Sequence, residues 1–183
     1  MSKTPIEMKE KFVANLLDKR ILYLEENITN DTAIKAGKAI VWLNSLDSSR
    51  EIKIYIDSAG GEIEAGLDIY DIMRHSQAPI TGIVYRKANS MAAVILQACK
   101  IRKIFQNSHI VVHNIIIGRR PLDDWRKNKE GIIAEMEKQQ QIIYDIFVAR
   151  TGKNIEEIKK AFDEAKILNS SEAKNLNMVD EII

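Results

Sequence analysis

Short apolar runs typical of strands alternate with amphipathic runs typical of helices along the first two thirds of the chain. This pattern predicts strands at residues 20–24, 52–56, 80–85, 103–105 and 109–112, and helices at residues 12–17, 32–46, 63–75 and 91–99. Thr29 and Asp31 are alternative N-caps for the 32–46 helix. Alternating strands and helices predict an α/β domain whose crossovers pack on a largely parallel sheet.

The last third of the chain has a different pattern. Residues 121–150 are charged and Gln-rich with thinly spaced apolar positions, which predicts one long amphipathic helix loosened at Gly131. Because it exceeds the average helix length of about 11–12 residues, this helix is expected to project or to pack on another chain. A helix at 155–162, a last helix beginning at Ser170 and a closing strand that begins at 178–180 follow.

The most informative boundary lies at Ser90. A strand and a predicted polar turn at 86–89 precede it, and residues 91–99 are almost all apolar, as in a helix buried on all sides. Unpaired N–H groups and the positive end of the helix dipole favour an oxyanion there, and the N–H of Met91 could bind it. The alternative, and the commoner role for such a residue, is that Ser90 or Asn89 is an ordinary N-cap.

Two further positions could contribute to chemistry. Gly60 and Gly61 lie between a strand and a helix, where they permit positive φ and close backbone approach, or simply a tight turn. As a phosphate loop the pair is weak, because no Lys-Ser or Lys-Thr follows. His113 ends a predicted strand, at the edge where α/β sheets place their sites, and is a candidate base or a satisfied structural histidine.

Composition excludes several classes of protein. Lys and Arg number 27 against 26 Asp and Glu, so no bulk basic field favours nucleic acid. The single cysteine, Cys99, cannot form an internal disulfide, which suits a reducing compartment. No signal peptide, membrane span or metal-ligand spacing is apparent, and no cofactor is predicted. We expect one cytoplasmic domain over residues 1–183, with residues 1–10 loose and no nucleic-acid or membrane partner.

The order Gly-Gly, Ser-Met and His along an α/β chain is similar to that of a known family. The motifs are IYIDSAGG at 54–61, AGLDIYD at 65–71, ANSMAA at 88–93, VVHN at 111–114 and SEAK at 171–174. Over residues 12–183 the chain resembles the proteolytic subunit of the Clp protease, ClpP, of the ClpP/crotonase superfamily. The resemblance implies a fold of repeated β-β-α units, a protruding handle helix at 122–150, and two heptameric rings that interlock as a tetradecamer.

The resemblance also implies roles for individual residues. Ser90 matches the nucleophile, His113 the general base, and the N–H groups of Gly61 and Met91 the oxyanion hole. The position of the usual triad aspartate aligns with Ala165. Because a prophage-type branch carries an aspartate two positions earlier, Asp163 is the candidate third member, and Glu164 is the second choice.

The chain departs from the family pattern at several other positions around the candidate site. These departures are Asp57 for Asn, Ala59 for Pro, Arg86 and Ala92 for Gly, and Asn114-Ile115 for Gln-Pro. The departures keep a second hypothesis open, a non-catalytic ClpP-like subunit that builds or regulates a ring. Crotonase-type acyl-CoA chemistry is a weaker third.

The resemblance favours a serine peptidase that cuts unfolded polypeptides or short peptides inside an oligomeric chamber. An AAA+ unfoldase is a possible partner. The segment at 1–10 lacks the Arg-Gly-Glu-Arg pattern of the family's axial loops. We therefore expect slow, ATP-independent cleavage with little stimulation by such an ATPase.

Overall fold

The computed structural model describes residues 5–116 and 122–183, with the side chains of 5–10 and 122–126 left out of the description. The helices are α1 Pro5–Asp18, α2 Asn30–Leu46, α3 Ile63–Arg74, α4 Met91–Leu96, α5 Leu122–Thr151, α6 Ile155–Asp163 and α7 Ser170–Asn175. The strands are β1 Ile21–Leu24, β2 Ile52–Ser58, β3 Ile80–Asn89, β4 Ile101–Ile104, β5 His109–Val111, β6 Ile167–Asn169 and β7 Glu181–Ile182. The predicted α/β class is confirmed.

β3 is the strand on which the sheet is centred. The strands pair in the order β1-β2-β3-β4-β7, all parallel, and β5 and β6 lie off this path. The first half of β3 lies between β2 and β4, whereas its last three residues pair with β5. β5 and β6 pair antiparallel. The last three residues of β3 thus extend beyond β4 and bring the end of the strand beside β5.

The helix that follows β3 forms the centre of the core. Every side chain of α4 is at most 2% exposed, which confirms the prediction of a helix buried on all sides. The helix itself ends at Leu96, and turns continue the chain to Cys99. Met91 packs against Gly66 of α3, where an added Cβ would lie 2.5 Å from the Met91 methyl carbon. Such close packing fixes the start of α4 relative to α3.

Local capping explains several helix boundaries. The Thr29 hydroxyl accepts a hydrogen bond from the Thr32 N–H at 3.3 Å, so Thr29 rather than Asp31 is the N-cap of α2. α6 and α7 each begin with a capping box, formed by Asn154 with Glu157 and by Asn169 with Glu172.

Several predicted boundaries are wrong. The predicted turn at 86–89 is strand, because pairing with β5 extends β3 to Asn89. β6 was not predicted, and the predicted closing strand, β7, begins at Glu181 rather than at 178–180. The irregularity in α5 falls at Asn128 (φ −148°, ψ 45°) rather than at Gly131, over which the Asn128 side chain folds. α1 begins at Pro5, well before the predicted 12–17; residues 1–4 and 121 lie outside the described part.

None of the helices in the described ranges combines the length and the apolar content that crossing a membrane requires.

Candidate functional site

Ser90 occupies the corner between β3 and α4 in a backbone conformation that is unusual for serine. Its φ is 53° and its ψ is −126°, and its N–H donates to the Val111 carbonyl at 2.7 Å. Non-glycine residues at positive φ carry strain, which the surrounding structure must stabilise. Although Ser90 is at the N-cap position, its hydroxyl makes no capping hydrogen bond to α4. The half-buried hydroxyl is therefore not committed to the ordinary capping role.

Gly60 packs directly on this corner. It has φ 92°, and an added Cβ would lie 2.6 Å from the Asn89 carbonyl oxygen and 2.7 Å from the Ser90 Cβ. Only glycine fits both the positive φ and the approach. The Ser58 hydroxyl supports the loop, because it donates to the Glu26 carbonyl at 2.7 Å and accepts from the Gly60 N–H at 3.1 Å.

Gly61 is held against Ile28 by a two-residue bridge. The Ile28 N–H donates to the Gly60 carbonyl at 2.9 Å, and the Glu62 N–H donates to the Ile28 carbonyl at 2.8 Å. In this parallel bridge the N–H of Gly61 points away from Ile28. Among the backbone hydrogen bonds of the described residues, none is donated by Gly61 or by Met91, the first residue of α4. Both N–H groups can therefore serve an oxyanion.

Strand register brings His113 to the same edge of the sheet. Asn89 pairs with Val111, so the chain reaches His113 just beyond the strand that flanks Ser90. The His113 Nδ1 lies 2.7 Å from the Asn114 carbonyl oxygen. Because a carbonyl only accepts, Nδ1 donates this hydrogen bond, and in the neutral form of imidazole that tautomer leaves Nε2 as the acceptor. No Ser90–His113 hydrogen bond is present among the described side chains, and such bonds often form only when substrate is bound.

The structure places the predicted acidic residues differently from one another. The Asp163 carboxylate accepts a hydrogen bond from the Asn114 Nδ2 at 2.7 Å and makes none with His113. Glu164 is the C-cap residue of α6, and Ala165 follows at φ 46°. β5 and β6 pair as far as Val111 with Ile167, and His113 and Ala165 both lie beyond the paired residues. By the resemblance, Ala165 is at the position of the usual triad aspartate, and its methyl group cannot accept a hydrogen bond from the His113 ring.

Sequence reasoning missed the contacts that α5 makes with the chain beside His113. The Tyr144 hydroxyl donates to the Asn114 Oδ1 at 2.6 Å, and the Ile115 N–H donates to the Gln140 Oε1 at 2.7 Å. Burial first, and the charge of Asp163 second, raise the pKa of Tyr144, so its phenol stays protonated at neutral pH. The four-residue spacing of Gln140 and Tyr144 on α5 was the available signal for a shared face.

An ion pair behind the glycine loop was also missed. The Arg86 guanidinium lies 2.9 Å from the Asp57 Oδ2, and Asp57 is largely buried. Both stand at the irregularity where β2 and β3 shift register, between Ile56 and Ser58. Among the described side chains, no group of three His, Cys, Asp or Glu residues is placed to bind a metal ion.

A mainly parallel α/β sheet that carries a strained serine, a histidine and two N–H donors to one edge defines a serine-centred candidate site. The model of the Clp protease family matches residues 6–183, so the chain belongs to the Clp protease family. It is similar to the ATP-dependent Clp protease proteolytic subunit of Mesostigma viride, 28% identical over 170 residues that cover 92% of this chain and 73% of the relative. The resemblance seen in the sequence motifs is confirmed.

Proposed function

We propose that this chain is a ClpP-type serine endopeptidase that hydrolyses unfolded polypeptides or short peptides. Family membership supports a serine protease-like hydrolase. The observation that carries the proposal is the Ser90 corner: positive φ, a hydroxyl without a capping bond, and the Gly60-Gly61 loop packed against it. A scaffold residue has no need of that conformation, which glycine would adopt without strain.

The roles follow from the positions of the polar groups. His113 Nε2 takes the proton of the Ser90 hydroxyl as Oγ attacks the scissile carbonyl. The N–H groups of Gly61 and Met91 stabilise the tetrahedral oxyanion. His113 then returns the proton to the leaving amine, which leaves an acyl-enzyme on Ser90. Water, deprotonated by His113, hydrolyses that ester and restores the serine. Asp163 is the acidic group that supports the histidine.

We propose a homo-oligomer, a heptamer or a double-ring tetradecamer, in which α5 is the handle helix between rings. The exposed apolar side chains of Ile34, Val41 and Trp42 on one face of α2 support further packing between copies. The relative is by name part of an ATP-dependent protease. An AAA+ unfoldase is accordingly the proposed partner, and the cytoplasm the proposed compartment.

A second candidate function is a non-catalytic ring subunit. The observation that favours it is Ala165, which the sequence resemblance aligns with the usual triad aspartate and which carries only a methyl group. Such a subunit would assemble with active copies without cutting peptide itself.

Active-site labelling separates the two candidates. The assembled wild-type protein should react with a fluorophosphonate at Ser90, mapped by peptide mass spectrometry, and should cleave a fluorogenic peptide. Ser90→Ala should lose both properties, while Ser45→Ala, at an exposed serine on α2, should keep both. If assembled wild-type particles neither label nor cleave, the non-catalytic function replaces the peptidase.

A further inference from the structure

The His113 ring is oriented by its own neighbour in the chain. Its Nδ1 proton is directed to the Asn114 carbonyl at 2.7 Å, and no carboxylate hydrogen-bonds the ring among the described side chains. In a serine triad, a carboxylate on this nitrogen fixes the tautomer and the direction of the ring. In this chain the position of residue 114 decides both.

Two hydrogen bonds fix the side chain of Asn114. Asp163 can only accept, so it requires the Nδ2 donor at 2.7 Å, and the protonated Tyr144 hydroxyl donates to the Oδ1 at 2.6 Å. The two partners therefore determine which way the amide points. If the amide were reversed, its Oδ1 would face the Asp163 carboxylate, which can only accept, and that hydrogen bond would be lost.

Both partners are anchored in packed structure. The Tyr144 ring is buried and meets Phe162 edge to face, with ring centroids 5.2 Å apart. Phe162 directly precedes Asp163, so one aromatic contact positions both groups that hold Asn114. Gln140, one turn before Tyr144, holds the next backbone N–H at Ile115. α5 and α6 together fix the segment that carries the imidazole.

We propose that Asn114 is the positioning residue of His113, and that Asp163 acts on the base through the Asn114 amide rather than by direct contact. The proposal rests on the proposed peptidase function. In this arrangement Asp163 binds the Asn114 side chain, and the Asn114 carbonyl binds the His113 ring. Tyr144 fixes the Asn114 side chain from the other side.

The proposal predicts an unusual tolerance at position 163. Asp163→Asn retains an oxygen that can accept from the Asn114 Nδ2, so kcat should fall by only about tenfold, the difference between a charge-assisted and a neutral hydrogen bond. Asp163→Ala removes the acceptor and should be worse. A direct aspartate–histidine contact would instead lose about 10⁴-fold on conversion to Asn.

A double-mutant cycle provides the second test. Asn114→Ala should lower kcat by about 100-fold with KM nearly unchanged, and adding Asp163→Ala should produce little further loss, because both remove the same path. Tyr144→Phe keeps the ring but removes the hydrogen bond to Asn114, so it should lower kcat by less than Asn114→Ala and should add little to that variant. Asn175→Ala, at an exposed asparagine ending α7, is the matched control and should behave as wild type. Additive losses, or a 10⁴-fold loss in Asp163→Asn, would overturn the proposal.

A spectroscopic readout separates this proposal from the peptidase function itself. At a pH where the imidazole is neutral, ¹⁵N shifts of the wild-type protein should show His113 protonated at Nδ1. Asn114→Ala should increase the population of the Nε2–H tautomer. An unchanged tautomer ratio would contradict the positioning role whether or not the protein cleaves peptide. If the wild-type protein fails to label with fluorophosphonate but Asn114→Ala still changes the tautomer ratio, the peptidase proposal is contradicted and the positioning role of Asn114 is supported.

Discussion

Only one of the two Asp57 carboxylate oxygens has a hydrogen-bond partner. Its Oδ2 bonds Arg86, whereas its Oδ1 is buried without a hydrogen-bond partner, and the two side chains are 11% and 71% exposed. The family that the sequence resembles usually has Asn at position 57 and Gly at position 86. The two residues that differ from the family pattern here, Asp57 and Arg86, therefore form an ion pair with each other. The pair joins β2 to β3 immediately before the glycine loop and Ser90.

Removing the Arg86 cation should therefore leave the largely buried Asp57 carboxylate without its charged partner. Arg86→Gln should lower the free energy of unfolding by about 1–2 kcal/mol at pH 7, less than for a fully buried pair because the guanidinium is largely solvated. Adding Asp57→Asn should recover most of the loss, as urea denaturation can measure. Lys87→Gln removes a neighbouring charge as a control. A double variant no more stable than Arg86→Gln would show that the charges are not coupled.

At the scale of elements, the bridge between Ile28 and Gly61 joins the loop after β1 to the loop after β2. An added Cβ at residue 61 would lie 2.1 Å from the Ile28 carbonyl oxygen, so the backbone of one loop would have to move. The bridge sets the direction of the Gly61 N–H. It therefore connects a packing contact to the proposed oxyanion hole.

Gly61→Ala should lower kcat of the proposed peptidase by about 100-fold, the effect of losing one oxyanion donor. The matched control is Gly152→Ala, where φ is 68° but no atom lies within 4 Å of an added Cβ. That variant should lose about 1 kcal/mol of stability from its backbone alone and keep its kcat. Thermal unfolding and peptide kinetics on both variants give the comparison. Equal kcat values for Gly61→Ala and Gly152→Ala would show that the Ile28–Gly61 bridge does not contribute to catalysis.

The elements that the sequence predicted well are those whose evidence is local. The pattern of 32–46 and the apolar run at 91–99 gave α2 and α4 almost unaided. The end of β3 could not be found in this way, because Arg86 and Lys87 are polar and only pairing with the distant β5 makes them strand. Likewise Ser90 and His113 were predicted as candidates from element boundaries, whereas the contacts of Tyr144 and Asp163 with Asn114 depend on how α5 and α6 pack.

At the scale of the whole molecule, the C-terminal residues are attached to the core by a buried arginine. The Arg102 side chain is 5% exposed; it pairs with Asp180 and donates to the Gln97 Oε1 at 2.6 Å. Burial opposes ionisation of Asp180, but the hydrogen bonds and charge of Arg102 prevail and lower its pKa below the ordinary 3.8.

The sign of the acid response follows from that shift. Because the pKa of Asp180 is lower in the folded chain, its contribution to stability is complete above about pH 4 and is lost as the pH falls through the folded value. Asp180→Asn should be less stable than wild type at pH 7, and the difference in unfolding free energy should narrow below pH 4. Asp145→Asn, on the exposed side of α5, should show no such narrowing.

Assembly is the other whole-molecule property open to test. Trp42, 44% exposed between apolar neighbours on α2, is expected to be covered in the ring. Trp42→Glu should shift native mass spectra from heptamers or tetradecamers toward monomers, because a charge would be buried in the contact. Lys100→Glu, an exposed position away from α2, serves as the charge control. A monomeric wild type at micromolar concentration would contradict the chamber.

The left-handed backbone at Ser90 also predicts that the side chain at this position lowers the stability of the fold. Ser90→Ala and Ser90→Gly both delete the hydroxyl, yet only glycine accepts φ 53° without strain. The glycine variant should be the more stable by about 1 kcal/mol, as relief of strain exceeds the added entropy of the unfolded chain. Glycine would be the residue best for folding at this position, so the serine lowers stability in a way that the proposed nucleophile role would explain.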